Sequence, residues 1–424
     1  MSSVANKLRK WAEPAYYRCY LIPRAHHNQN KLLRLIRKRG EVKVTFLVSS
    51  LPMWRFQSVF DRLRKDDRFK LTVAIYPFTN YSDIQRKASI EQLNAHFEGT
   101  GTSVIDLSKT EHPGALLREQ VNPDVIFYPQ PYNNLYWNDL DSKYFADKLL
   151  CYIPYMMVTM EDPWTFRSFY CNVAWRVFVG EEFTYRNAKS MLFDGGKNVR
   201  IAGETMADVF AGEPYQDVWK PQPQEKKRVI WAPHFSIVQN DMLNRDSFSW
   251  LHHEMMDIAR QYNGRIQFAF KPHPRLFTEL CNHPSWGKEK AQAYYNWWKK
   301  GANTQLETGP YVSLFKGSDA IIHDSGSFTA EYQLTGKPAM FTTQDMSKSE
   351  KSLNALGKAA LRVHYPGKCR EDILSFLDNV VLKGDDPMQE KRLGFREKFL
   401  TVPGGKSVAD NIYNELATSI WKHV

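Results

Sequence analysis

The sequence has few cysteines, and they follow no familiar pattern. The five cysteines, at positions 19, 151, 171, 281 and 369, include no Cys-x-x-Cys pair. Their odd number argues against a disulfide framework, and no Cys/His group has the spacing of a zinc site. These absences favour a reducing cytoplasmic compartment and a chain without a bound metal.

Long hydrophobic runs are also missing. The longest nearly uninterrupted one, LLCYIPYMMV at 149–158, is about half the length of a membrane span. The first residues, MSSVANKLRKWAEP, carry charge where a signal peptide has its apolar stretch. We therefore expect a cytoplasmic chain that is neither exported through a signal peptide nor embedded in a membrane.

Charge of one sign is concentrated at the start of the chain. Residues 1–40 contain ten Lys or Arg and one acid, so this segment carries +9 of the total +11. Aromatic residues and the stretch NKLLRLIRKRG make the segment amphipathic, a pattern typical of proteins that bind anionic membrane surfaces. The alternative is a solvated basic terminus whose apolar residues pack on the protein body. No nucleic-acid motif is present, so nucleic acid is not an expected partner.

The remaining chain alternates between apolar strands and amphipathic helices. VKVTFLVSS, WRFQSVFDRLRKD and FKLTVAIYP form a strand, helix and strand within about thirty-five residues, the βαβ pattern of a parallel sheet. After the proline-rich stretch 211–228 the pattern restarts, with VIWAP, IQFAFKP, YVSLF, AIIHDSG and PAMFTT as predicted strands. The expected fold is α/β, with two doubly wound, Rossmann-like parallel-sheet domains facing a cleft.

This alternation and the composition predict five regions. They are a basic membrane-surface segment (1–40), an N-terminal acceptor domain (41–210), a linker (211–228), a C-terminal nucleotide-donor domain (229–404) and a C-terminal helix (405–424).

Two predicted strands of the second half end in Pro-His sequences. In FKPHPRL, Lys271, His273 and Arg275 alternate along the strand exit and therefore share one face. Lys271 and Arg275 can neutralise a diphosphate, and His273 can hydrogen-bond a phosphate oxygen or transfer a proton near pH 7. WAPHFS places His234 in the same position after another strand.

A third strand ends in the segment HDSGSFTAEYQ. Asp324, Ser325, Gly326 and Ser327 form a turn before a short helix at 328–334, which Gly336 ends. Backbone N–H groups, two hydroxyls and a glycine can together hold a phosphate. The alternative is that Asp324 and Ser327 only cap the helix.

These three segments, in this order and spacing, resemble the second half of the CDP-glycerol glycerophosphotransferase family, enzymes that prime or extend teichoic-acid-like polymers. The resemblance covers roughly residues 225–345. It implies a GT-B fold, a CDP-activated donor bound by the C-terminal domain, no required metal or cofactor, and a lipid-linked or polysaccharide acceptor at the inner face of the cell membrane. By resemblance, His273 contacts the donor phosphates, Ser325 and Ser327 bind the same diphosphate, and Glu331 contacts the donor ribose.

One departure from the family concerns the catalytic base. Teichoic-type members carry a His-Gly pair in the N-terminal domain, and this sequence has no His-Gly pair. Glu161 and Asp162 stand in the comparable place, where a carboxylate can accept the proton of an acceptor hydroxyl. The alternative is that this pair caps a helix beginning at Pro163. The triplet DLD at 139–141 lies in polar sequence and is not taken as a metal site.

The expected reaction is attack by an acceptor hydroxyl on the β-phosphorus of a CDP-alcohol. Two other functional hypotheses stay open. One is a GT-B glycosyltransferase that uses a nucleotide sugar in capsule or lipopolysaccharide synthesis, with a sugar-nucleotide 2-epimerase as a variant, because HDSGSFTAE is similar to the Asp-Ser-Gly-Gly signature of those enzymes. The other is a non-catalytic membrane-surface protein that retains a nucleotide site.

Overall fold

The computed structural model describes residues 12–132, 135–136, 139–162, 164–237 and 245–422. The chain forms two compact units, called here the first and the second domain. The first domain comprises the chain up to Met156, Asp162–Asp208 and the chain from Val402 onward; the second comprises Met157–Glu161 and Val209–Thr401.

The first domain is built on a seven-stranded parallel sheet with the strand order β3-β2-β1-β4-β5-β6-β7. The strands are β1 (Val42–Val48), β2 (Phe69–Ile75), β3 (Ser103–Asp106), β4 (Val125–Tyr128), β5 (Leu149–Tyr152), β6 (Arg176–Val179) and β7 (Val199–Ile201). Successive side chains of β1 enter different apolar clusters, Phe46 on one face and Leu47 on the other. Burial on both faces is what a doubly wound parallel sheet requires.

Helices of the first domain connect these strands. They are α1 (Ile22–Arg39), α2 (Gln57–Arg64), α3 (Asp83–Phe97), α4 (Pro113–Gln120), α5 (Phe169–Val173), α6 (Glu182–Met191) and α7 (Thr205–Gly212), whose residues from Val209 onward belong to the second domain. A π-helical turn, Tyr17–Leu21, leads into α1. Helix α3 begins with a capping box, in which Ser82 and Gln85 each accept the backbone N–H of the other.

The apolar face of α1 is buried in the first domain. Leu33 and Ile36 are only 8% and 0% exposed, and both belong to the core cluster of the sheet. The exposed face of α1 carries the cations Arg24, Lys31 and Arg34. The described part of the basic segment therefore packs Leu33 and Ile36 on the protein body but leaves Tyr16, Tyr20 and Leu35 exposed, and residues 1–11 lie outside the described range.

The six-stranded sheet of the second domain is also parallel, in the order β10-β9-β8-β11-β12-β13. Its strands are β8 (Lys227–Ala232), β9 (Ile266–Phe270), β10 (Thr304–Leu306), β11 (Ala320–His323), β12 (Ala339–Thr342) and β13 (Tyr365–Gly367). The two parallel sheets confirm the predicted α/β fold class.

Helices follow the strands of the second domain as well. Those used below are α8 (Ser247–Gln261), α9 (Leu276–Asn282), α10 (Gly287–Lys300), α11 (Val312–Gly317), α12 (Phe328–Glu331), α13 (Met346–Lys351), α14 (Ala355–Leu361), α15 (Arg370–Ser375) and α16 (Gln389–Phe399). One sequence prediction is wrong here, because YVSLF is helical and forms the start of α11. Its Leu314 and Phe315 are buried against β8 and β11, and the strand of this region is the more polar β10.

The stretch 211–228, predicted as a linker, is attached to the second domain by several contacts. Trp219 is 3% exposed, and its indole N–H donates to the Leu314 carbonyl. The Lys220 N–H donates to Gln305 Oε1 at 2.7 Å. A buried aromatic residue thus holds this polar segment to the domain.

The final helix, α17 (Val408–Trp421), belongs to the first domain. Both oxygens of the buried Asp208 carboxylate accept N–H bonds at its start, from Val408 and Ala409. At its end, the Arg37 guanidinium donates to the Ile420 carbonyl at 2.6 Å. Among the described residues, no helix is both long enough and apolar enough to cross a membrane.

Candidate functional site

Three neighbouring strands of the second domain bring the predicted site residues together. Strand β8 lies between β9 and β11, with Trp231 beside Phe270 and Ala232 beside His323. All three strands are parallel, so their carboxyl ends lie at the same edge of the sheet. His234 follows β8, His273 follows β9, and Ser325 follows β11. This is the edge at which parallel α/β sheets bind ligands.

His234 and His273 have the same local geometry. Nδ1 of His234 accepts the N–H of Ser236 at 3.3 Å, and Nδ1 of His273 accepts the N–H of Arg275 at 3.2 Å. A neutral imidazole that accepts at Nδ1 carries its proton on Nε2. The two ring centroids are 5.0 Å apart. The backbone contacts therefore favour the Nε2–H tautomer of both rings, and Nδ1 of His234 also lies 2.8 Å from the Ser236 hydroxyl, which can donate to it or accept from it.

Both imidazoles are neutral at pH 7. Burial, with a further contribution from nearby cations, lowers the pKa of His234 to about 2 and that of His273 to about 4. A neutral imidazole donates a hydrogen bond to a phosphate without contributing charge. Of the two roles predicted for His273, the lowered pKa therefore favours hydrogen bonding over proton transfer near pH 7.

Lys271 and Arg275 supply positive charge beside the imidazoles. Nζ of Lys271 donates to the Gly309 carbonyl at 2.7 Å, and burial lowers its pKa to about 8 although Glu307 opposes this shift. The Arg275 guanidinium lies 4.1 Å from the centroid of the Phe235 ring and pairs with Glu279 at 2.6 Å. Contacts with neighbouring residues thus orient both cations.

Asp324 is buried and connects three segments of the second domain by hydrogen bonds: the turn after β11, the residues after β8 and the start of α8. Its carboxylate accepts the His234 N–H at 2.6 Å, the Ser247 N–H at 3.0 Å and the Ser247 hydroxyl at 2.7 Å. Burial raises the pKa of Asp324, although these hydrogen bonds act in the opposite direction. The capping alternative is wrong for both predicted residues, because no side chain caps α12, whose N-cap residue is Ser327. Asp324 instead fixes the backbone that carries His234.

The turn after β11 is held by its neighbours on several sides. The Ser325 N–H donates to Nδ1 of His323 at 3.2 Å, and the Gly326 carbonyl accepts the Thr159 hydroxyl at 2.7 Å. Helix α12 has only four residues and continues as a 3-10 turn that ends at Gly336, where φ is 71°. The Ser325 N–H already donates inside the protein and is not available to a ligand. The phosphate site predicted at this turn therefore needs other hydrogen-bond donors.

Glu331, which the family resemblance assigns to the donor ribose, is buried in the second domain. It is 1% exposed, and its carboxylate accepts a hydrogen bond from the Tyr311 hydroxyl. The ribose contact therefore stays a prediction.

A pair of buried histidines lies beneath the turn. Nε2 of His323 is 3.1 Å from Nε2 of His364, and Nδ1 of His364 is 2.8 Å from the Ala360 carbonyl. Because Nδ1 of His323 accepts from Ser325, its Nε2 donates to His364, which in turn donates to Ala360. Burial lowers the pKa of both rings, that of His364 to about 4. This chain of hydrogen bonds connects the turn to helix α14.

Sequence reasoning missed Arg245, which lies next to the turn. A Cβ atom built on Gly326 would stand 3.3 Å from the Arg245 Nη1 and 3.3 Å from the Met160 sulfur. The glycine thus makes room for these two side chains, whereas the sequence suggested that it makes room for a ligand. Arg245 also contributes to the lowered pKa of both His234 and His273.

Glu161 and Asp162, the predicted alternatives for the base, have different surroundings. Nζ of Lys358 lies 3.9 Å from Glu161. The Asp162 carboxylate accepts the Tyr132 and Thr165 hydroxyls and the backbone N–H groups of residues 164 and 165. Burial acts to raise the pKa of Asp162, but these donors outweigh it and the pKa is lowered. Asp162 thus closes a local turn, but residues 164–167 form no helix; the next helix, α5, begins at Phe169 and is capped by Ser168, so the capping alternative is wrong as stated.

Among the residues that the structure describes, no group of three or more His, Cys, Asp or Glu side chains has the arrangement of a metal site. The cationic side chains at the carboxyl ends of the strands are the charges available there for an anionic ligand.

Comparison with solved structures shows which known folds this chain shares. The wall teichoic acid polymerase TagF matches with a TM-score of 0.60 and 11% identity, over 98% of this chain and 98% of that chain. A putative UDP-N-acetylglucosamine 2-epimerase from Listeria monocytogenes matches with a TM-score of 0.57 and 14% identity, over 89% of this chain and 96% of that chain. No family model and no curated protein sequence matches. At these identities the likeness establishes the fold alone, and the fold is GT-B.

Proposed function

We propose that this protein is a transferase that moves an alcohol phosphate, with glycerol phosphate as the first candidate, from a CDP-activated donor to a hydroxyl group. The acceptor is a cell-surface polysaccharide or a lipid-linked precursor. The observation that supports this proposal most is the cluster of Lys271, His273, Arg275 and His234 at adjacent strand ends. Cations and Nε2–H donors are the groups that bind a diphosphate.

The proposed step forms one bond and breaks one. The acceptor oxygen bonds to the β-phosphorus of the donor, and the bond between that phosphorus and the bridging oxygen breaks. CMP leaves with the bridging oxygen, and the acceptor proton passes to a base. Lys271 and Arg275 stabilise the negative charge that develops on CMP, while His273 and His234 donate to phosphate oxygens.

Glu161 is the better of the two proposed bases. Its carboxylate has one nearby cation, Lys358, whereas that of Asp162 is occupied by four donors. A base must have a free lone pair within hydrogen-bond reach of the acceptor proton. Replacing Glu161 with Gln is therefore expected to lower turnover while donor binding stays unchanged.

We place the protein on the inner face of the cell membrane. The exposed cations of α1 and the basic composition of residues 1–40 support attraction to anionic lipids. Because Leu33 and Ile36 of α1 are buried, the attraction proposed here is mainly electrostatic, and the exposed side chains of Tyr16, Tyr20 and Leu35 are the apolar groups of this segment that can contact lipid.

A second candidate keeps the site and changes the donor to a nucleotide sugar. The UDP-N-acetylglucosamine 2-epimerase from Neisseria meningitidis, whose structure contains UDP-GlcNAc, matches with a TM-score of 0.52 and 14% identity, over 89% of this chain and all of that chain. A cationic cluster binds the diphosphate of either donor equally well. The base and the group attached to the diphosphate distinguish the two candidates.

Thermal stabilisation by a panel of nucleotides tests the proposal. CDP-glycerol, CDP-ribitol, CMP, UDP and UDP-GlcNAc are compared at equal concentration, since a ligand at about 100 times its Kd stabilises by about 2.7 kcal/mol. We expect CDP-alcohols to raise the Tm most, and to release CMP when an acceptor is added. Stabilisation by UDP-GlcNAc alone would replace the proposal with the second candidate.

A further inference from the structure

A shallow groove lies on the second domain, at the opposite edge of its sheet from the site described above. It is lined by one face of α10, by the end of α8 and by the residues before β10, and its volume is about 600 Å³. Asn263 lies in the turn before β9, and Asn303 directly precedes β10. The groove is therefore at the amino ends of these strands, whereas the site is at the carboxyl ends.

Helical spacing places the α10 side chains of the groove on one face of that helix. Ala293, Asn296, Trp297 and Lys300 stand at positions i, i+3, i+4 and i+7. The next residue, Trp298, is fully buried in the core, whereas Trp297 is partly exposed. This face of α10 therefore presents an accessible indole ring between two polar side chains.

Hydrogen bonds hold the walls of the groove in place. The side-chain amide of the buried Asn303 donates to the Ala259 carbonyl at 2.8 Å and to the Ile266 carbonyl at 3.0 Å. Lys220 Nζ donates to the Gly301 carbonyl at 2.8 Å. Because α8, β9 and the residues before β10 are already tied together, a ligand bound here loses little affinity to ordering of the protein.

Four donor groups around the indole ring are available to a ligand. The Asn263 amide, the Asn296 Nδ2, the Trp297 indole N–H and the Lys300 ammonium have no hydrogen-bond partner within the described part of the chain. The other end of the Asn296 amide is occupied, since its Oδ1 accepts from Gln292 Nε2 at 3.2 Å. The groove thus combines an aromatic surface with several unused donors.

The charge that a ligand meets in the groove is that of Lys300. Arg260 pairs with Asp257 at 2.6 Å, and its guanidinium lies 5.2 Å from the centroid of the Trp297 ring, which it helps to fix. Lys300 forms no ion pair with any residue that the structure describes, and no Asp or Glu is among the described residues that line the groove. A lysine at the end of a helix also stabilises the helix dipole, so the ligand is identified by the indole, the amides and the charge together.

We infer that this groove binds an anionic saccharide, a chain of sugar rings that carry carboxylate or phosphate groups. A sugar ring has an apolar C–H face and a rim of hydroxyls, which match the exposed part of the indole and the amides beside it. Lys300 pairs with the anionic group. The inference rests on the proposed function in its choice of a saccharide, because the proposed acceptor is a polysaccharide. A second contact with the polymer raises the local concentration of acceptor near the site.

The test follows the indole N–H signals of the full-length protein by NMR during titration with tetragalacturonic acid, which carries a carboxylate on each sugar. Trp297→Phe identifies the Trp297 signal, since that signal disappears from the spectrum of the variant. We expect the signal to shift saturably, and we expect Lys300→Gln to weaken binding at least about threefold, within the range of an exposed ion pair. The neutral tetrasaccharide maltotetraose should bind more weakly, and equally to the wild type and to Lys300→Gln.

Lys290→Gln is the matched control, because Lys290 lies on the same helix, 4.7 Å from the centroid of the Trp286 ring, and does not line the groove. The inference is overturned if the Trp297 signal does not move with tetragalacturonic acid, or if the two lysine variants weaken binding equally. Equal affinity for maltotetraose would overturn the assignment of an anionic ligand. A Trp297 signal that shifts with protein concentration alone would indicate contact with a second copy and would also overturn the inference.

The outcomes separate this inference from the proposed function. Binding of tetragalacturonic acid at Trp297 without stabilisation by any CDP-alcohol supports the inference and rejects the proposed function, and the reverse result does the opposite. The thermal midpoint of each variant shows whether the fold is retained. Should Trp297→Phe fail to fold, the difference in affinity between Lys300→Gln and Lys290→Gln decides, because both lysines are exposed.

Discussion

Mild acid should destabilise the second domain because several of its imidazoles are held neutral. His234, His273, His323 and His364 all have a pKa lowered chiefly by burial, with nearby cations or imidazoles adding to the shift. An imidazole whose folded pKa lies below its unfolded value binds more protons when unfolded. Its contribution to stability is therefore fully present above pH 6.5 and is lost as the pH falls toward the folded pKa.

The size of the effect follows from linkage. For an imidazole with an unfolded pKa of about 6.5 and a folded pKa of about 4 or less, the free energy of unfolding falls by slightly more than 1 kcal/mol between about pH 7.5 and about pH 5.5. The three imidazoles whose folded pKa is about 4 or lower, those of His234, His273 and His364, together give about 4 kcal/mol, and His323 shifts stability in the same direction. We expect the second domain to be several kcal/mol less stable at about pH 5.5 than at about pH 7.5.

Urea unfolding at both pH values, followed by circular dichroism, provides the assay. His364→Gln removes one titrating group, so the loss of stability between the two pH values should shrink by slightly more than 1 kcal/mol, whatever the variant does to absolute stability. His253→Gln is the control, since His253 is exposed on α8. The reasoning would be refuted if the wild type were equally stable at both pH values. It would also be refuted if His364→Gln lost as much stability between the two pH values as the wild type does.

Three further predictions concern the site and α1. Nucleotide affinity should fall as the pH rises above about 8, where Lys271 loses its charge, and Lys271→Arg should abolish this fall in calorimetry. A Cβ atom at Gly326 would stand 3.3 Å from Arg245 Nη1 and from the Met160 sulfur, so Gly326→Ala should lower the thermal midpoint slightly, and an unchanged midpoint would contradict the close approach. Replacing Lys31 and Arg34 with Glu should release the protein from anionic vesicles at low salt, and continued co-sedimentation would show that α1 is not the contact.

The sequence predicts the parts of the fold that depend on local hydrophobic pattern. Apolar runs such as VKVTFLV and IQFAF are strands in the structure because a doubly covered parallel sheet needs continuous apolar strands. The pattern fails where it is ambiguous. YVSLF has the composition of a strand but is helical, while β10, TQL, is too short and polar to be recognised.

The site was predictable only in part, for a physical reason. Strand-end residues such as His234 and His273 can be placed because the carboxyl ends of parallel strands meet at one edge. The role of Asp324 depends on partners far away in the chain, His234 and Ser247, which no local pattern reveals. Arg245 follows no strand directly, so its position beside Gly326 emerges only from the tertiary structure.

The central claim is that the residues at the carboxyl ends of strands β8, β9 and β11 bind a CDP-activated donor through its diphosphate. Calorimetric titration with CDP-glycerol, on the wild type and on His273→Asn, tests it most directly. We predict saturable one-site binding by the wild type and at least about tenfold weaker binding by the variant with its thermal midpoint retained, because the preset Nε2–H donor is lost. Equal affinity in the two proteins, or no binding by the wild type, would contradict the account.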